Sequence, residues 1–222
     1  MLRRPAILFA TFALALAASA VPAQDNASIG DLKVRAAAGD KTATRQLAEA
    51  YYLGKGVDQD FKQAAQWYEK LAKLGDRRAQ TTLGLIYARG YGVEKDMNVA
   101  RKWWDFAAMQ GDPGAQYDLG TLYFKGDGVA QDYAQAAHWY REAASRGHIQ
   151  AQSDLAQMYL EGRGIPKNLS QAYYWFAVAA LQGDEGAQEQ LKKVAAGMSD
   201  AQIKDADAQA KDWMKSAKKV WQ

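Results

Sequence analysis

A period of 36 residues is the feature that most constrains how this chain can fold. The glycines that follow this step are Gly39, Gly75, Gly111, Gly147 and Gly183. A fixed period of this length is typical of repeat proteins, in which each unit packs on its neighbours along one dimension. Hydrophobic residues make up 49% of the chain, which is enough for an array to bury a continuous core. We predict four whole repeats, at 40–75, 76–111, 112–147 and 148–183.

Each repeat is predicted to contain two antiparallel helices. In the first repeat, Ala43, Leu47 and Tyr51 stand at i, i+4 and i+8, which places them on one face of a helix. Gly54 and Gly56 then break this helix and turn the chain into the second. The matching residues of the later repeats are Ala79, Leu83, Tyr87, Gly90 and Gly92; Ala115, Leu119, Tyr123, Gly126 and Gly128; and Ala151, Leu155, Tyr159, Gly162 and Gly164.

Polar residues mark the predicted helix starts. Asp60 suits the N-cap of a second helix, with Gln63 three residues later as in a capping box. The same pattern occurs with Asp132 and Gln135 and with Asn168 and Gln171, and Asp96 suits an N-cap without a glutamine at the third position. Asp40, Asp76, Asp112 and Asp184 follow the periodic glycines and suit the N-caps of first helices, and His148 stands at that position in the fourth repeat.

Two further columns suggest how the helices pack. The small residues Ala48, Gly84, Gly120 and Ala156 predict close approach of a neighbouring helix, because a helical glycine costs about 1 kcal/mol of propensity. The tryptophans are Trp67, Trp103, Trp139 and Trp175. Their fixed helical spacing favours a core column over a sugar-stacking ladder, and on that basis Trp103→Ala should destabilise the fold by about 3–5 kcal/mol.

Residues 1–23 are predicted to be a secretory signal peptide of the Sec type. Paired arginines precede an apolar run at 7–18, and small residues follow it. Cleavage is expected after Ala23 or after Ala20. The mature protein is therefore expected to be periplasmic or secreted from a bacterium, with no insertion in the membrane after cleavage.

Both ends of the array are predicted to carry capping helices. Ser28 to Ala38 matches the second half of a repeat, so the solenoid is placed at 28–197. A final capping helix is placed at 198–222, where Ser199 and Gln202 form a capping-box pattern. Its apolar stripe consists of Ile203, Ala206, Ala210, Trp213, Ala217 and Val220. Such a helix would cover the exposed face of the last repeat, as solenoids require.

Little in the composition supports catalysis or cofactor binding. The chain has no cysteine and two histidines, and neither His138 nor His148 stands in a ligand cluster. The glycine pairs do not follow a strand as a nucleotide-binding loop would, and Ser216 and Lys219 have the serine–lysine spacing of penicillin-recognising enzymes without its companion motifs. A net charge of +3 gives no case for nucleic-acid binding. We predict no catalytic residue, no cofactor, no metal and no enzyme activity.

These motifs resemble the Sel-1-like repeat, a relative of the tetratricopeptide repeat. The resemblance rests on Ala-x-x-x-Leu-Gly-x-x-Tyr, Gly-x-Gly-Val, the following Asp and the Trp-Tyr pair, and it covers about residues 28–197. It implies an all-α solenoid of antiparallel helix pairs. Members of the family share this architecture and differ in their partners.

Variable columns are the candidates for partner binding. In solenoids of this kind the first helices usually line the concave surface, so the face away from the Ala-Leu-Tyr stripe is expected to meet the partner. The residues on it are Arg45, Thr81, Tyr117 and Ser153, followed by Glu49, Leu85, Thr121 and Gln157. This mixed polar and aromatic set suits a peptide or protein surface. A solvated face without a partner is the alternative.

The resemblance implies a non-catalytic interaction scaffold or adaptor with a protein partner in the cell envelope. Exported members include periplasmic regulators that restrain a membrane sensor kinase and affect exopolysaccharide production, and others that assemble envelope machinery. The alternative is a cell-wall-related hydrolase, either β-lactamase-like or peptidoglycan-acting. The β-lactamase-like members are rich in cysteine, which this chain lacks. Glycan binding by exposed tryptophans or tyrosines is a third, weaker interpretation.

Overall fold

The computed structural model describes residues 27–221, with side chains described as far as Ala217. The predicted signal peptide lies outside this range. Within it the chain forms eleven α-helices and no β-strand. They are α1 (Ile29–Ala37), α2 (Lys41–Leu53), α3 (Phe61–Lys73), α4 (Arg77–Arg89), α5 (Met97–Met109), α6 (Pro113–Lys125), α7 (Tyr133–Ser145), α8 (Ile149–Glu161), α9 (Leu169–Leu181), α10 (Glu185–Ala195) and α11 (Asp200–Trp221).

The helices form one array of pairs. The members of each pair, α2–α3, α4–α5, α6–α7 and α8–α9, pack on one another, and each second helix also packs on the first helix that follows it. α1 packs on α2 at one end of the array, and both α10 and α11 pack on α9 at the other. The predicted all-α solenoid of four helix pairs is therefore confirmed.

The paired glycines turn the chain, and in the second and fourth repeats they also seat the turn against the preceding repeat. The first glycine of a pair ends the first helix in the left-handed conformation, with φ of 71° at Gly90. The second, Gly92, has φ of 69° and lies so close to the start of α3 that a Cβ would overlap the backbone of Lys62. Gly164 is seated in the same way on α7. Gly56, in the first repeat, has open space around it. Direct backbone contact thus joins the turns of the second and fourth repeats to the repeats before them.

The predicted N-caps are confirmed. Each side chain accepts at least one backbone N–H of its helix; the N-caps of α2 to α10 are Asp40, Asp60, Asp76, Asp96, Asp112, Asp132, His148, Asn168 and Asp184. The capping boxes predicted with Gln63, Gln135 and Gln171 are wrong, because the N–H that the glutamine would satisfy is used elsewhere. The N–H of Asp60 donates to the carbonyl of Tyr51 at 3.0 Å, and the equivalent bond recurs in the next three repeats. The second helix is thereby tied to the first.

The core column of the second helices lies one residue after the predicted one. Its members are Tyr68, Trp104, Tyr140 and Phe176, and all are at least 92% buried (8%, 4%, 3% and 2% exposed). Among the predicted tryptophans, Trp175 is buried, whereas Trp67, Trp103 and Trp139 are half-buried. The predicted tryptophan column is thus fully buried only in the fourth repeat. In the other three repeats it is partly buried and packs against the core, because the adjacent aromatic pair straddles the edge of the apolar face.

The column of small residues faces these buried rings. A Cβ on Gly84 would overlap the indole of Trp104, and a Cβ on Gly120 would overlap the ring of Tyr140. The Trp104 Nε1–H also donates to the carbonyl of Thr81 at 3.3 Å. The close approach that the sequence predicted is therefore made by an aromatic side chain of the second helix in the same repeat.

A column of glutamines, which the sequence analysis missed, joins successive repeats. Gln80, Gln116 and Gln152 are buried on the first helices, and each Nε2 donates to a carbonyl near the end of the preceding second helix at 3.1–3.2 Å. The Oε1 of Gln80 accepts from Gln110 at 2.7 Å, and that of Gln152 accepts from Gln182 at 2.6 Å. The Oε1 of Gln116 is buried with no partner within the described chain.

The last helix closes the array. The described members of its predicted apolar stripe are buried or partly buried: Ile203, Ala206, Ala210, Trp213 and Ala217. Ser199 and Gln202 form the predicted capping box, with the N–H of Ser199 donating to Gln202 Oε1 at 2.9 Å. The side chain of Val220 lies outside the described side chains.

We expect Trp104→Ala to destabilise the protein by about 3–5 kcal/mol, because it removes a fully buried aromatic from a central repeat. Trp103→Ala should cost less, about 1–2 kcal/mol, since Trp103 is half-exposed. Urea denaturation followed by circular dichroism measures both. An equal or larger loss for Trp103→Ala would show that the assigned register of the core is wrong.

We expect Arg146→Gln to stabilise the protein by about 1 kcal/mol, a rise in Tm of about 2–4 °C. Residue 146 stands where Gln110 and Gln182 stand in the neighbouring repeats, so a glutamine there can donate to the unpaired Gln116 Oε1. The lost Arg146–Glu142 pair is exposed and contributes little. Gln110→Arg is the matched control and should lower Tm. Calorimetry that shows no gain for Arg146→Gln would contradict this account.

Candidate functional site

The outward side of α2, α4, α6 and α8, here called the first-helix face, holds all eight predicted partner-binding residues. Three of the first four also join successive repeats. Arg45 forms an ion pair with Asp76, the N-cap of the next first helix. Three repeats later, at the equivalent position, Ser153 Oγ donates to the N-cap Asp184 at 2.5 Å. Thr81 instead donates within its own helix. Residues of this row therefore stabilise the contact between repeats, in addition to being candidates for partner binding.

Tyr117 contacts the next N-cap in a different manner. Its ring stacks on that of His148, with ring centroids 4.4 Å apart and an interplanar angle of 15°. His148 Nδ1 accepts the N–H of Ala151 at 3.2 Å. Burial lowers the pKa of His148 to about 4, so the imidazole stays neutral and available as an acceptor. The stack holds Tyr117 half-buried at the surface.

The second predicted row is more open. Glu49 is exposed on α2, whereas Leu85 on α4 is half-buried. Thr121 Oγ1 lies 3.2 Å from the Tyr140 hydroxyl, and Gln157 Nε2 donates to Glu161 Oε1 at 2.5 Å. The structure thus brings three of the eight residues, Tyr117, Thr121 and Gln157, to one place and leaves the other five apart from it.

Tyr117, Thr121 and Gln157 line one pocket between the third and fourth repeats, here called the α6–α8 pocket. Its volume is about 240 Å³. The remaining lining residues are Phe124, Lys125, Tyr140, Asp154, Met158, Glu161 and Arg163. Aromatic and thioether side chains supply its walls, and Tyr140 and Met158 are its most buried members, at 3% and 1% exposure.

The charged side chains that line this pocket are buried to different extents. Burial raises the pKa of the Asp154 carboxyl, and hydrogen bonds from Gln150 and Tyr117 oppose the rise. Lys125 is exposed at the rim. Glu161 and Arg163 form an ion pair at 2.6 Å, in which each offsets the charge of the other. The innermost charged group is therefore the carboxylate of Asp154.

Asp118 occupies the same repeat position as Asp154, one period earlier. Burial raises the pKa of its carboxyl to about 7, and the Asp112 carboxylate adds to this rise while Arg89 opposes it. Sequence reasoning missed both aspartates, because it singled out the neighbouring columns. The signal that could have found them is an acidic residue directly before Leu119 and Leu155, both of which are fully buried.

The comparison with protein families decides what this array is. The Sel1 repeat matches residues 42–76, 77–112, 113–148 and 149–184. The chain belongs to the Sel1 repeat family. These four matches begin one or two residues after the repeats predicted from the sequence, and they contain all eight residues of the two predicted rows.

Solved structures agree with this assignment to the Sel1 repeat family. A Sel1 repeat protein from Oxalobacter formigenes is 32% identical, with a TM-score of 0.70 over 86% of this chain and 78% of that one. The protective antigen c5321 of uropathogenic Escherichia coli, described as having an SLR fold, is 34% identical with a TM-score of 0.74. That match covers 83% of this chain but 40% of the antigen. A search of curated proteins returned no match.

A third Sel1 relative marks a chemical difference. Helicobacter pylori cysteine rich protein B is 25% identical, with a TM-score of 0.50 over 62% of this chain and 99% of that one. The present chain reaches a similar fold with no cysteine.

Among residues 27–221, no helix has the length and apolarity needed to cross a membrane, and no group of three His, Cys, Asp or Glu side chains is placed to hold a metal.

We expect Asp118→Asn to stabilise the protein at pH 8, raising Tm by about 2–4 °C, and to have little effect near pH 4. The folded carboxyl binds its proton more tightly than the unfolded one, whose pKa is near 3.8. Stability is therefore lost as pH rises from about 4 to about 7, and the amide removes that loss. Thermal unfolding of both proteins at pH 4, 6 and 8 tests this. A difference that does not grow with pH would refute it.

Proposed function

We propose that this protein is an exported, non-catalytic scaffold that binds a protein partner through its first-helix face. Sel1 repeats are typical protein–protein interaction modules, and four of them form the array. The observation that carries the proposal is the α6–α8 pocket. It combines half-buried aromatic rings with a sequestered carboxylate, a mixture that favours recognition of a partner over plain solvation.

The cell envelope is the proposed location. This part of the proposal rests on the predicted signal peptide at 1–23, where two arginines precede an apolar run. Within the envelope, restraint of a sensor kinase and assembly of envelope or exopolysaccharide machinery both fit a rigid scaffold. No residue of the first-helix face chooses between these two roles. The alternative of a cell-wall hydrolase gains no support from the described residues or from the relatives.

The test is crosslinking in intact cells, followed by capture of the tagged protein and mass spectrometry. Two variants place a lysine on the first-helix face, Leu85→Lys and Gln157→Lys. We expect enrichment of the partner to fall by about tenfold in at least one of them, because a new charge at a half-buried contact must be desolvated. Tm should stay within about 2–4 °C of the parent.

Matched controls come from the second helices and their ends. Leu74→Lys and Gln66→Lys make the same changes at exposed positions away from the first-helix face. Both controls should capture the partner as the parent does. Equal capture by all four variants would refute the proposed surface, and absence of any reproducible partner from the parent would refute the scaffold function.

A further inference from the structure

The α6–α8 pocket has the size of a single side chain rather than of a whole ligand. Its volume of about 240 Å³ lies below the roughly 300–1,000 Å³ of pockets that enclose small-molecule ligands. It opens on the first-helix face, where an extended partner segment would lie across α6 and α8. An anchor residue of that partner is therefore the natural occupant.

The walls of this pocket favour a cation. Tyr117, Phe124 and Tyr140 present aromatic rings, whose faces attract positive charge. The Arg163 guanidinium already lies 5.9 Å from the centroid of the Phe124 ring, which shows that the wall accepts a basic group. A cation with an apolar stem would place its methylenes along these rings and its charge beyond them.

The carboxylate of Asp154 supplies the opposite charge. Burial, and to a smaller extent the Asp184 carboxylate, disfavour its ionised form. Hydrogen bonds from the neutral groups of Gln150 and Tyr117 and the charge of Lys125 offset part of this cost, and the pKa stays raised. An incoming cation would relieve this cost, since an opposite charge within a few ångströms favours the ionised carboxyl. At the rim, Arg163 Nε lies 2.6 Å from Glu161 Oε2. Because the two opposite charges offset one another, this pair contributes little to the electrostatic field in the pocket. Two lining cations oppose an incoming cation: Arg163, whose charge Glu161 offsets, and Lys125, which is exposed.

We propose that the α6–α8 pocket binds a basic side chain of the protein partner, with Asp154 as the counter-charge and Tyr117 and Tyr140 as the aromatic walls. This inference rests on the proposed function and adds the chemistry of the partner: an extended segment that carries an accessible lysine or arginine. The opposite assignment, an acidic side chain held by Lys125, is an outcome of the test below.

The test titrates the purified protein with four small probes and follows backbone amide shifts by nuclear magnetic resonance. The probes are the methylamides of Nα-acetyl-lysine, Nα-acetyl-arginine, Nα-acetyl-norleucine and Nα-acetyl-glutamate. We expect saturable shifts in α6, α7 and α8 at millimolar concentrations of a basic probe. The norleucine probe should bind at least about tenfold more weakly, because it keeps the apolar stem and lacks the charge.

Three variants separate the pocket from general surface attraction. Asp154→Asn should weaken binding of the basic probes by about tenfold, and Lys125→Gln should tighten it because it removes a like charge. Asp118→Asn is the matched control, since it makes the same change at the same repeat position outside the pocket. It should leave the affinity unchanged. Tm of each variant confirms that the fold is intact.

The outcomes that overturn the proposal are specific. Tighter binding of the glutamate probe, equal binding of norleucine, unchanged affinity in Asp154→Asn, or absence of saturable shifts would each refute a cation pocket. Crosslinking of Asp154→Asn in cells then addresses the partner. Undiminished capture would refute the role of the pocket as the anchor while the scaffold function stands. If the parent captures nothing, the scaffold function fails and the probe titrations still decide what the pocket binds.

Discussion

The backbone contact of the turns at Gly92 and Gly164 with the preceding repeats is the constraint on which the rest of the structure depends. Gly92 can lie against the backbone of α3 only because it has no side chain and adopts a positive φ, and Gly164 does the same against α7. At these two turns the contact allows successive pairs to approach until their backbones touch. The buried glutamines then tie the pairs together by hydrogen bonds. The positions of the surface residues therefore depend on how successive helix pairs are spaced.

The candidate site arises where one repeat departs from the others. In the first repeat the row that faces the next N-cap holds Arg45, which pairs with Asp76. In the third repeat the same two positions hold Tyr117 and His148, which stack and leave the hydroxyl directed to Asp154. A charged contact is thereby replaced by an aromatic wall. The residues that recur in every repeat form the scaffold. The pair Tyr117 and His148, which departs from them, gives one part of the surface a different chemistry.

The repeat length, the helix pairs and the N-caps could be predicted because they depend on residues that recur at a fixed step. The core register could not, since the aromatic pair at 103 and 104 offers two apolar neighbours and only the tilt of the helix decides which is buried. The pocket was predicted in part. Tyr117, Thr121 and Gln157 were predicted from their columns. The column of Asp154 was not singled out, and its place in the pocket depends on how α6 and α8 pack, which no single repeat encodes.

Within residues 27–221, the two ends of the array are closed unequally. At one end the nine-residue α1 covers α2, whereas at the other α9 is covered by both α10 and the 22-residue α11. Because contacts run only between neighbours, opening starts where the terminal unit is held least. Hydrogen exchange should therefore be fastest at the amino-terminal end. The third and fourth repeats, near the better-held end, would keep their shape while the first repeat frays.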